Sequence, residues 1–283
     1  MDGKVVLVTG AGSGIGLAAA AGFAALGASV RALGRDNQRA VQAAALVRER
    51  TGNPDADVRP EACDVSSLAA LRTFVADFTG REQRLDVLIN NAGVMPDERT
   101  RTGDGLELMF ATHVLAPHVL IEGLLPLLRA AAPSRVINVT SGGQYAQQIP
   151  PGDLQSDQAR YGPKRVYART KREEVVLTSQ WAEKLAGTGV HVHAMHPGWA
   201  DTKGVQQWMP LFRTMTRPFI RDLAQRADTV VWLGGASQAV ATTGQLWQDR
   251  RSRPLTYRFG AGPDSESARR DLWDRLTALA ASL

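Results

Sequence analysis

The sequence predicts an α/β protein with a doubly wound parallel sheet of about seven strands and helices on both faces. Short apolar runs alternate with helical stretches along the 283 residues, and strands that alternate with helices form βαβ units and a parallel sheet. The first apolar run passes directly into a glycine-rich loop that opens a helix. No linker, repeat or low-complexity stretch interrupts this pattern, so we expect a single domain over residues 1–283.

Each predicted strand is a short apolar run, and each predicted helix is a longer stretch bounded by turn or polar residues. The strands are predicted at residues 4–9, 29–33, 57–62, 85–90, 135–140, 190–195 and 244–247. The helices are predicted at residues 14–26, 37–50, 67–78, 106–130, 167–186, 228–236 and 265–282. Pro117 and Pro126 are expected to interrupt the long fourth helix. The last helix is amphipathic, and we expect it to dock on the core rather than on a lipid surface.

Composition and charge narrow the class of protein. Hydrophobic residues make up 44% and charged residues 22% of the chain, which is the balance of a soluble globular protein with a sizeable core. The formal net charge is +5. The basic residues are scattered, with the densest clusters at residues 250–253 and 269–270, so we expect no nucleic-acid partner. Cys63 is the single cysteine, which excludes an intrachain disulfide.

The sequence also predicts a cytoplasmic protein without membrane insertion. The longest apolar run, at residues 17–28, is short, rich in alanine and broken by two glycines, so it is not expected to cross a bilayer. No secretory signal precedes the first predicted strand. His191, His193 and His196 lie close in sequence, but no cysteine or acidic ligand set accompanies them, so no metal site is expected.

The glycine-rich loop at residues 9–16, TGAGSGIG, indicates phosphate binding. Glycines let the backbone turn tightly and let a pyrophosphate approach the amides of the helix N-terminus, where the helix dipole favours negative charge. This spacing, after a strand and before a helix, predicts dinucleotide binding. The residues concerned are Gly10, Ser13, Gly14, Ile15 and Gly16. The alternative is a flexible turn between strand and helix.

Tyr167 and Lys171 are one helical turn apart in the stretch YARTK, so their side chains lie on one face of a helix and can meet. An ammonium beside a phenol favours the phenolate, which makes the phenol a proton donor and acceptor near neutral pH. The pair alone is weak evidence, because Tyr and Lys occur at this spacing by chance on many solvated helices. The other motifs of the chain strengthen the interpretation of this pair as catalytic.

Five motifs in order resemble the short-chain dehydrogenase/reductase family. They are Thr9-Gly10-xxx-Gly14-Ile15-Gly16, Asn90-Asn91-Ala92-Gly93, Ser141, Tyr167-xxx-Lys171 and Pro197-Gly198. The stretches VTSGG, DLQS, REEVVL and MHPGWADTKGV, which begin at positions 139, 153, 172 and 195, further resemble its dehydrogenase/reductase family member 12 branch. The resemblance implies a Rossmann-type fold over nearly the whole chain and an oxidoreductase that uses a nicotinamide dinucleotide.

The resemblance also implies roles at a reacting centre. Ser141 would hold the substrate oxygen, with Thr140 as a rival. Tyr167 would transfer the proton, and Lys171 would favour the phenolate and bond the nicotinamide ribose. The family usually has a fourth catalytic member, an Asn in the long helix, and that position is His113 here. His113 could hold a water with Lys171 or shuttle a proton itself, or its presence could mean slow or lost catalysis.

The residue that ends the second strand distinguishes NAD from NADP. An acid there hydrogen-bonds the ribose 2′-hydroxyl, whereas an Arg pairs with a 2′-phosphate. The acid position falls on Gly34 and Arg35 follows it, and an Arg fork matches phosphate, so NADP(H) is favoured over NAD(H). Asp36 is expected to cap the next helix. Arg39 is either a second phosphate contact or an exposed helix charge.

Further cofactor contacts follow from the resemblance. They are Asp64, Val65, Asn91, Ala92, Gly93, Tyr167, Lys171, Pro197, Gly198 and Thr202. Asp64 would meet the adenine edge, or else cap the helix before Ser66 and Ser67. Asn90 is expected to tie the sheet together, and Thr202 to meet the nicotinamide carboxamide.

Two segments of the sequence are expected to form the substrate-binding side of the site. The insertion at residues 142–166 is expected to form a loop over the site. The segment at about residues 199–227 corresponds to the substrate lid of the family and is rich in aromatic and Met side chains, which can surround an apolar ligand. Ordinary packing onto the core is the alternative. We therefore expect a small-molecule substrate that is a lipophilic carbonyl or alcohol.

Two functions are consistent with the sequence. The first is an NADP-dependent oxidoreductase that interconverts a carbonyl and an alcohol, which Ser141, Tyr167 and Lys171 favour. The second is a cofactor-binding regulator or scaffold with little turnover, which His113 favours. Relatives in the family often pair through two long helices, here residues 106–130 and 167–186. A homo-oligomer is therefore one option, unless the insertion or the C-terminal tail blocks that face.

Overall fold

The computed structural model of the chain describes residues 1–158, 160–198, 223–257 and 259–281. The strands are β1 Val5–Thr9, β2 Ser29–Gly34, β3 Val58–Ala62, β4 Val87–Asn90, β5 Ser134–Val139, β6 Val190–Met195, β7 Leu246–Gln248 and β8 Arg251–Arg253. Within the described ranges they form one eight-stranded sheet in the order β3-β2-β1-β4-β5-β6-β7-β8. Neighbours are parallel from β3 to β7. The predicted doubly wound parallel sheet is confirmed.

The eighth strand is the one that the sequence did not predict. β8 pairs with β7 in antiparallel fashion, and the connection places Asp249 and Arg250 at φ 58° and 56°. Positive φ at both turn residues is typical of a tight hairpin. The strand sequence RSR is polar and lies at the edge of the sheet, so it carries no apolar run by which a strand would be recognised.

The helices are α1 Gly14–Ala25, α2 Asn37–Thr51, α3 Leu68–Arg81, α4 Leu108–Phe110, α5 Ala116–Ala130, α6 Pro163–Lys184, α7 Leu223–Gly235 and α8 Glu266–Ala281. A π-helical segment, Ala111–Leu115, joins α4 to α5. The helix is therefore continuous through both prolines. Pro117 is the second residue of α5 and Pro126 lies inside it, and neither ends the helix, so the expected interruption is wrong. Pro163 opens α6, so Tyr167 lies one turn inside the helix and not at its start.

Helices cover both faces of the sheet, and this explains the unbroken apolar run of β1. Successive strand side chains point to opposite faces. Val6 and Val8 pack in one core cluster with Phe23 of α1, whereas Leu7 packs in the other with Phe110. All five residues of β1 are buried, as expected for a central strand of a parallel sheet.

The C-terminal helix α8 docks on α5 and α6. Ala268, Leu272 and Leu276 of α8 are buried in the core. The Trp273 ring lies 5.1 Å from that of Trp181 in α6 and 5.2 Å from that of His118 in α5. The structure confirms the expected docking of the terminal helix on the core. Pairing of two copies through α5 and α6 stays a prediction, and α8 covers part of that surface.

One described helical stretch, Leu108–Ala130, is long and apolar enough by length and composition to cross a membrane. However, 78% of its apolar window is buried inside the protein. The core helix of a globular protein passes the same test, so this is weak evidence for a span.

Shortening Leu272 to Ala tests the docking of α8. Leu272 is fully buried, and removing its methyl groups leaves a cavity between α8 and the long helices. We expect Leu272→Ala to lower the free energy of unfolding by about 2–5 kcal/mol, measured by urea denaturation. Thr277→Ala, on the exposed side of α8, is the matched control and should stay within about 0.5 kcal/mol of wild type. Equal stability of the two variants would show that α8 is not docked.

Candidate active site

The glycine loop opens a crevice between β1 and β4. The strand order reverses there, with β2 and β3 on one side and β5 onward on the other, and ligands bind at such a switch point. Gly10 and Gly14 have φ of 67° and 55°, which side chains disfavour. A Cβ at Gly16 would lie 2.3 Å from the Gly10 carbonyl oxygen. The loop can therefore lie against the start of α1 only because no side chain is present.

The start of α1 leaves backbone donors free beside this loop. The Leu17 N–H donates to the Ser13 carbonyl, and the amides before it have no helical acceptor. Ser13 is exposed, and its side chain makes no capping hydrogen bond. Ile15 instead packs against the core. Unpaired amides at a helix N-terminus next to a tight glycine turn fit a bound pyrophosphate.

Thr9 joins the ends of β1 and β4. Its hydroxyl donates to the Ile89 carbonyl at 3.2 Å and accepts the N–H groups of Asn91 and Ala92, each at 2.9 Å. The Asn91 amide donates back to the Thr9 carbonyl at 2.9 Å. These bonds set Ala92 close against Gly10. The sequence pattern did not predict this role for Thr9, although a Thr directly before the glycine loop was the available signal.

A cavity of about 370 Å³ extends from the glycine loop across the ends of β2 and β3. Seven predicted cofactor residues line it: Gly10, Ser13, Arg35, Asp64, Val65, Ala92 and Gly93. Gln42, Leu46 and Ser66 also line it, and no motif pointed to them. The glycine turn, the free amides at the start of α1 and the cavity together fit the adenosine diphosphate half of a dinucleotide.

The end of β2 has no room for an acidic side chain. A Cβ at Gly34 would lie 2.5 Å from the Ala40 nitrogen, in the backbone of α2. Asp36 caps α2 by accepting the Arg39 N–H at 2.9 Å, as expected, and its carboxylate pairs with the Arg39 guanidinium at 3.6 Å. Arg35 is exposed beside the cavity, and none of the described residues pairs with its guanidinium.

The end of β3 supplies Asp64, which lines the cavity and shapes the following turn but is not the cap of α3, while its contact with adenine stays a prediction. One carboxylate oxygen accepts the Ser66 N–H at 3.0 Å and the Ser66 hydroxyl at 2.7 Å, so it shapes the turn, while the residue also lines the cavity. The cap of α3 is Ser67. Cys63 is buried, and burial raises the pKa of its thiol to about 12, so it is a small, unreactive core residue.

Asn90 ties the sheet to α6, as predicted in part. Its amide donates to the Asn138 side chain at 2.8 Å, and Asn138 donates to the Thr178 hydroxyl at 2.8 Å. Thr178 in turn donates to the Glu174 backbone carbonyl at 2.8 Å. A chain of buried hydrogen bonds thus runs from β4 through β5 into the helix that carries Tyr167 and Lys171.

Tyr167 and Ser141 come from adjoining elements at the carboxyl edge of the sheet. Ser141 follows β5 and caps a short turn, Gly142–Ala146, by accepting the Gly143 N–H at 3.3 Å. A Cβ at Gly143 would lie 3.6 Å from Ala168, the neighbour of Tyr167. Tyr167 is half-buried, and its hydroxyl has no hydrogen-bond partner among the described residues. The phenol is therefore free to meet a ligand.

Lys171 is buried beside Tyr167 and held by two acceptors. Its Nζ lies 6.0 Å from the Tyr167 ring centroid. The ammonium donates to the Val139 carbonyl at 2.9 Å and to Glu174 Oε2 at 2.9 Å. Sequence reasoning missed Glu174. The spacing of three residues along the helix was the available signal.

His113 lies in the π-helical segment with its ring edge-on to Tyr167, 5.5 Å between centroids. Nε2 accepts the Val94 N–H at 3.0 Å, and Nδ1 lies 2.9 Å from the Thr170 hydroxyl. The proton is therefore on Nδ1, which donates to Thr170. Burial holds the pKa of His113 well below its usual 6.5, and the charge of Lys171 lowers it further. The ring is neutral, and both of its nitrogens are engaged within the protein.

Only part of the region expected to bind the substrate lies among the described residues. Pro197 and Gly198 close β6, and Gly198 has φ 77° while its N–H donates to His196 Nδ1 at 3.2 Å. Thr202 and most of the expected lid, residues 199–222, lie outside the described residues; α7 begins at Leu223. No cluster of three or more His, Cys, Asp or Glu side chains suited to a metal occurs in the described ranges.

The insertion at residues 142–166 is tied to the C-terminal part of the chain. The Ile149 N–H donates to Asp264 at 2.8 Å, and the Gly152 N–H donates to Asp271 at 3.0 Å. Asp264 also forms a buried ion pair with Arg172 of α6 at 2.6 Å. The insertion is therefore anchored to the helix that carries Tyr167. Its expected position over the substrate stays a prediction.

Fold and site together define an α/β oxidoreductase with a nucleotide-binding crevice. The family model described as short chain dehydrogenase matches residues 4–210, and the chain belongs to this family. Human dehydrogenase/reductase SDR family member 12 is 41% identical over 252 residues, which cover 89% of this chain and 78% of that protein. The resemblances to the family and to its member 12 branch are thus confirmed.

Two further proteins are similar to this chain over most of its length. Mouse retinol dehydrogenase 14 is 34% identical over 288 residues, which cover 97% of this chain and 85% of that protein. The solved structure of a metagenomic short-chain oxidoreductase in complex with NADP is 25% identical, with a TM-score of 0.63, and the match covers 86% of this chain and 94% of the other.

A side chain at position 34 should disturb the end of β2. Because its Cβ would meet backbone atoms of α2, we expect Gly34→Ala to lower the free energy of unfolding by about 1–3 kcal/mol, measured by thermal unfolding. Gly80→Ala is the control, since a Cβ there meets nothing within 4 Å, and in helix α3 it should stabilise by about 0.5–1 kcal/mol. A Gly34→Ala protein as stable as wild type would contradict the close approach of α2.

Proposed function

We propose that this protein is an NADP(H)-dependent oxidoreductase that interconverts a carbonyl and an alcohol on a lipophilic substrate, with Tyr167 as the acid/base. When bound, the nicotinamide cofactor supplies or accepts the hydride. The protein residues bind and orient both reactants, and they move the proton. The observation that carries the proposal is the Tyr167 phenol, which is half-buried, has no partner in the described parts of the chain and lies beside the Lys171 ammonium.

The proton chemistry follows from that pair. In the reducing direction Tyr167 gives its proton to the developing alkoxide, and the Lys171 ammonium stabilises the phenolate that results. Ser141 emerges from the end of β5 at the same edge of the sheet, and its hydroxyl donates to the substrate oxygen. In the oxidising direction each of these transfers is reversed.

NADP(H) is favoured by the end of β2. An acidic side chain at position 34 would collide with the backbone of α2, so the usual partner of an NAD ribose is sterically disfavoured. The Arg35 guanidinium is exposed beside the cavity, where it can meet a 2′-phosphate. The metagenomic relative was solved with NADP, which agrees with this preference.

A lipophilic substrate is favoured by two observations. The relative from mouse is named a retinol dehydrogenase, and retinol is an apolar alcohol. The segment from 199 to 222 contains Trp199, Trp208, Met209, Leu211, Phe212, Met215 and Phe219. Side chains of this kind can enclose an apolar ligand with few polar contacts.

The alternative function is a cofactor-binding regulator or scaffold with little turnover. The observation that favours it is His113, which replaces the family Asn and has both ring nitrogens engaged by the protein. A proton relay through this position is therefore not available in the arrangement described. The two functions share the cofactor site and differ in turnover.

Replacing Tyr167 by Phe separates the two functions. We expect Tyr167→Phe to lower kcat for NADPH oxidation with all-trans-retinal by about 10²-fold or more, because the proton donor is lost, and to retain NADPH binding. Tyr161→Phe is the control, since the Tyr161 hydroxyl is already bonded to the Pro96 carbonyl, and its turnover should match wild type. NADPH binding without turnover by wild type on retinal or on short aldehydes would favour the regulator.

Replacing Arg35 by Ala tests the cofactor preference. We expect wild type to bind NADPH about tenfold or more tightly than NADH, and Arg35→Ala to lose most of this difference by weakening NADPH alone, because a charge-assisted contact to phosphate is removed. Fluorescence titration of each cofactor gives both dissociation constants. Arg50→Ala, at the exposed far end of α2, should leave both unchanged. Equal wild-type affinities for the two cofactors would overturn the preference.

A further inference from the structure

The Lys171 ammonium has three N–H groups, and the protein already takes two of them. One donates to the Val139 carbonyl at the end of β5, and one donates to Glu174 in α6, both at 2.9 Å. A single N–H is left for a ligand. The direction of that N–H is set by the two acceptors, so Glu174 takes part in deciding where Lys171 points.

Glu174 is the ionisable partner of Lys171 in this site. The two side chains are 2% and 4% exposed, and a buried ammonium without an anion is strongly unfavourable. His113 cannot supply a negative charge, because it is neutral, and its nitrogens face the Val94 N–H and Thr170. The charge of Lys171 is therefore balanced from within its own helix, by a residue one turn further along.

We propose that Glu174 is a positioning residue for Lys171: its carboxylate pairs with the ammonium and directs it, so that the remaining N–H reaches the nicotinamide ribose and the charge stabilises the Tyr167 phenolate. This inference rests on the proposed function for its effect on turnover. Its effect on cofactor binding rests on the geometry of Lys171 alone.

The arrangement has a consequence for pH dependence. Burial raises the pKa of Glu174 to about 7, although the Lys171 ammonium and the Thr140 hydroxyl oppose that rise. The groups that face the carboxylate are Lys171 on its own helix and the Thr140 hydroxyl at the end of β5, while His113 of the π-helical segment is neutral. As the pH falls through 7, Glu174 takes up a proton and Lys171 loses its anion.

The test compares two neighbouring glutamates. Glu174→Gln removes the charge and keeps the shape. Glu173→Gln is the matched control, because Glu173 is buried on the same helix but neither of its carboxyl oxygens has a hydrogen-bond partner among the described residues. Burial raises the pKa of Glu173 well above 4.5, and the acceptors of the Lys171 ammonium are Val139 and Glu174, so the control removes a carboxyl group that Lys171 does not bond. NADPH dissociation constants are measured by fluorescence titration from pH 5.5 to 8.5, with kcat and KM for all-trans-retinal alongside.

We expect wild type and Glu173→Gln to bind NADPH more weakly, and to turn over more slowly, as the pH falls through about 7. Glu174→Gln should lack the change near pH 7 in both profiles and should keep only the weaker NADPH binding that protonation of the 2′-phosphate, at a pKa of about 6, causes in every variant. At pH 8 its kcat should be about tenfold below wild type, which corresponds to about one pKa unit of lost charge stabilisation, with KM for retinal unchanged. A Glu174→Gln protein whose two profiles follow wild type would overturn the inference.

The binding profile keeps this inference separate from the proposed function. If no carbonyl is reduced, the proposed function fails, and loss of the NADPH inflection in Glu174→Gln alone still supports the role of Glu174. If Glu174→Gln does not fold, Glu174→Asp replaces it, since it keeps the charge on a shorter arm. Weaker NADPH binding at pH 8 by Glu174→Asp supports the role, and unchanged binding overturns it.

Discussion

The Thr9 hydroxyl joins the ends of β1 and β4, and the rest of the site is built outward from this junction. The chain leaves these two strands toward opposite sides of the sheet, so a crevice opens between them. Three hydrogen bonds to one hydroxyl hold the two strand ends together. With the strand ends fixed, Ala92 can lie against Gly10, and the start of α1 can face the crevice with its amides free.

Helix α6 carries Tyr167 and Lys171, the proposed reacting pair, and it has four consecutive ionisable residues, 171–174, that are all buried. The structure meets the cost of burying each charge in a different way. Lys171 pairs with Glu174, Arg172 pairs with Asp264 from the segment before α8, and burial raises the pKa of Glu173 well above 4.5, which favours its neutral form. The pair of Arg172 and Asp264 also anchors the insertion through Ile149. Helix α6, the insertion and the C-terminal segment are thus linked by buried charges.

The π-helical segment between α4 and α5 places His113 where the family has an Asn. Segments of this kind often occur at functional sites, because the extra residue in the turn redirects a side chain. Here the ring is directed between the Val94 N–H and Thr170, edge-on to Tyr167. The His113 ring therefore packs against Tyr167. The ionic partner of Lys171 is Glu174 of α6.

Sequence alone determined the order of strands and helices, the glycine turn, and the Tyr167–Lys171 face, because each of these is a local pattern of backbone freedom or side-chain period. It also placed Arg35 and Asp36 correctly at the end of β2, since strand, turn and cap follow one another directly. It did not reveal β8, whose polar edge strand has no apolar period.

The tertiary structure alone decided the contacts that join residues distant in the chain. Thr9 meets Asn91, α2 fills the space in front of Gly34, and α8 covers α5 and α6, and none of these leaves a spacing signal. Packing decided the surroundings of the charges as well: Glu173 and Glu174 are adjacent and identical in sequence, yet Glu174 has Lys171 as its partner and Glu173 has no hydrogen-bond partner among the described residues. That difference exists only once the helix is packed, because desolvation and the position of a counter-charge depend on every element around it.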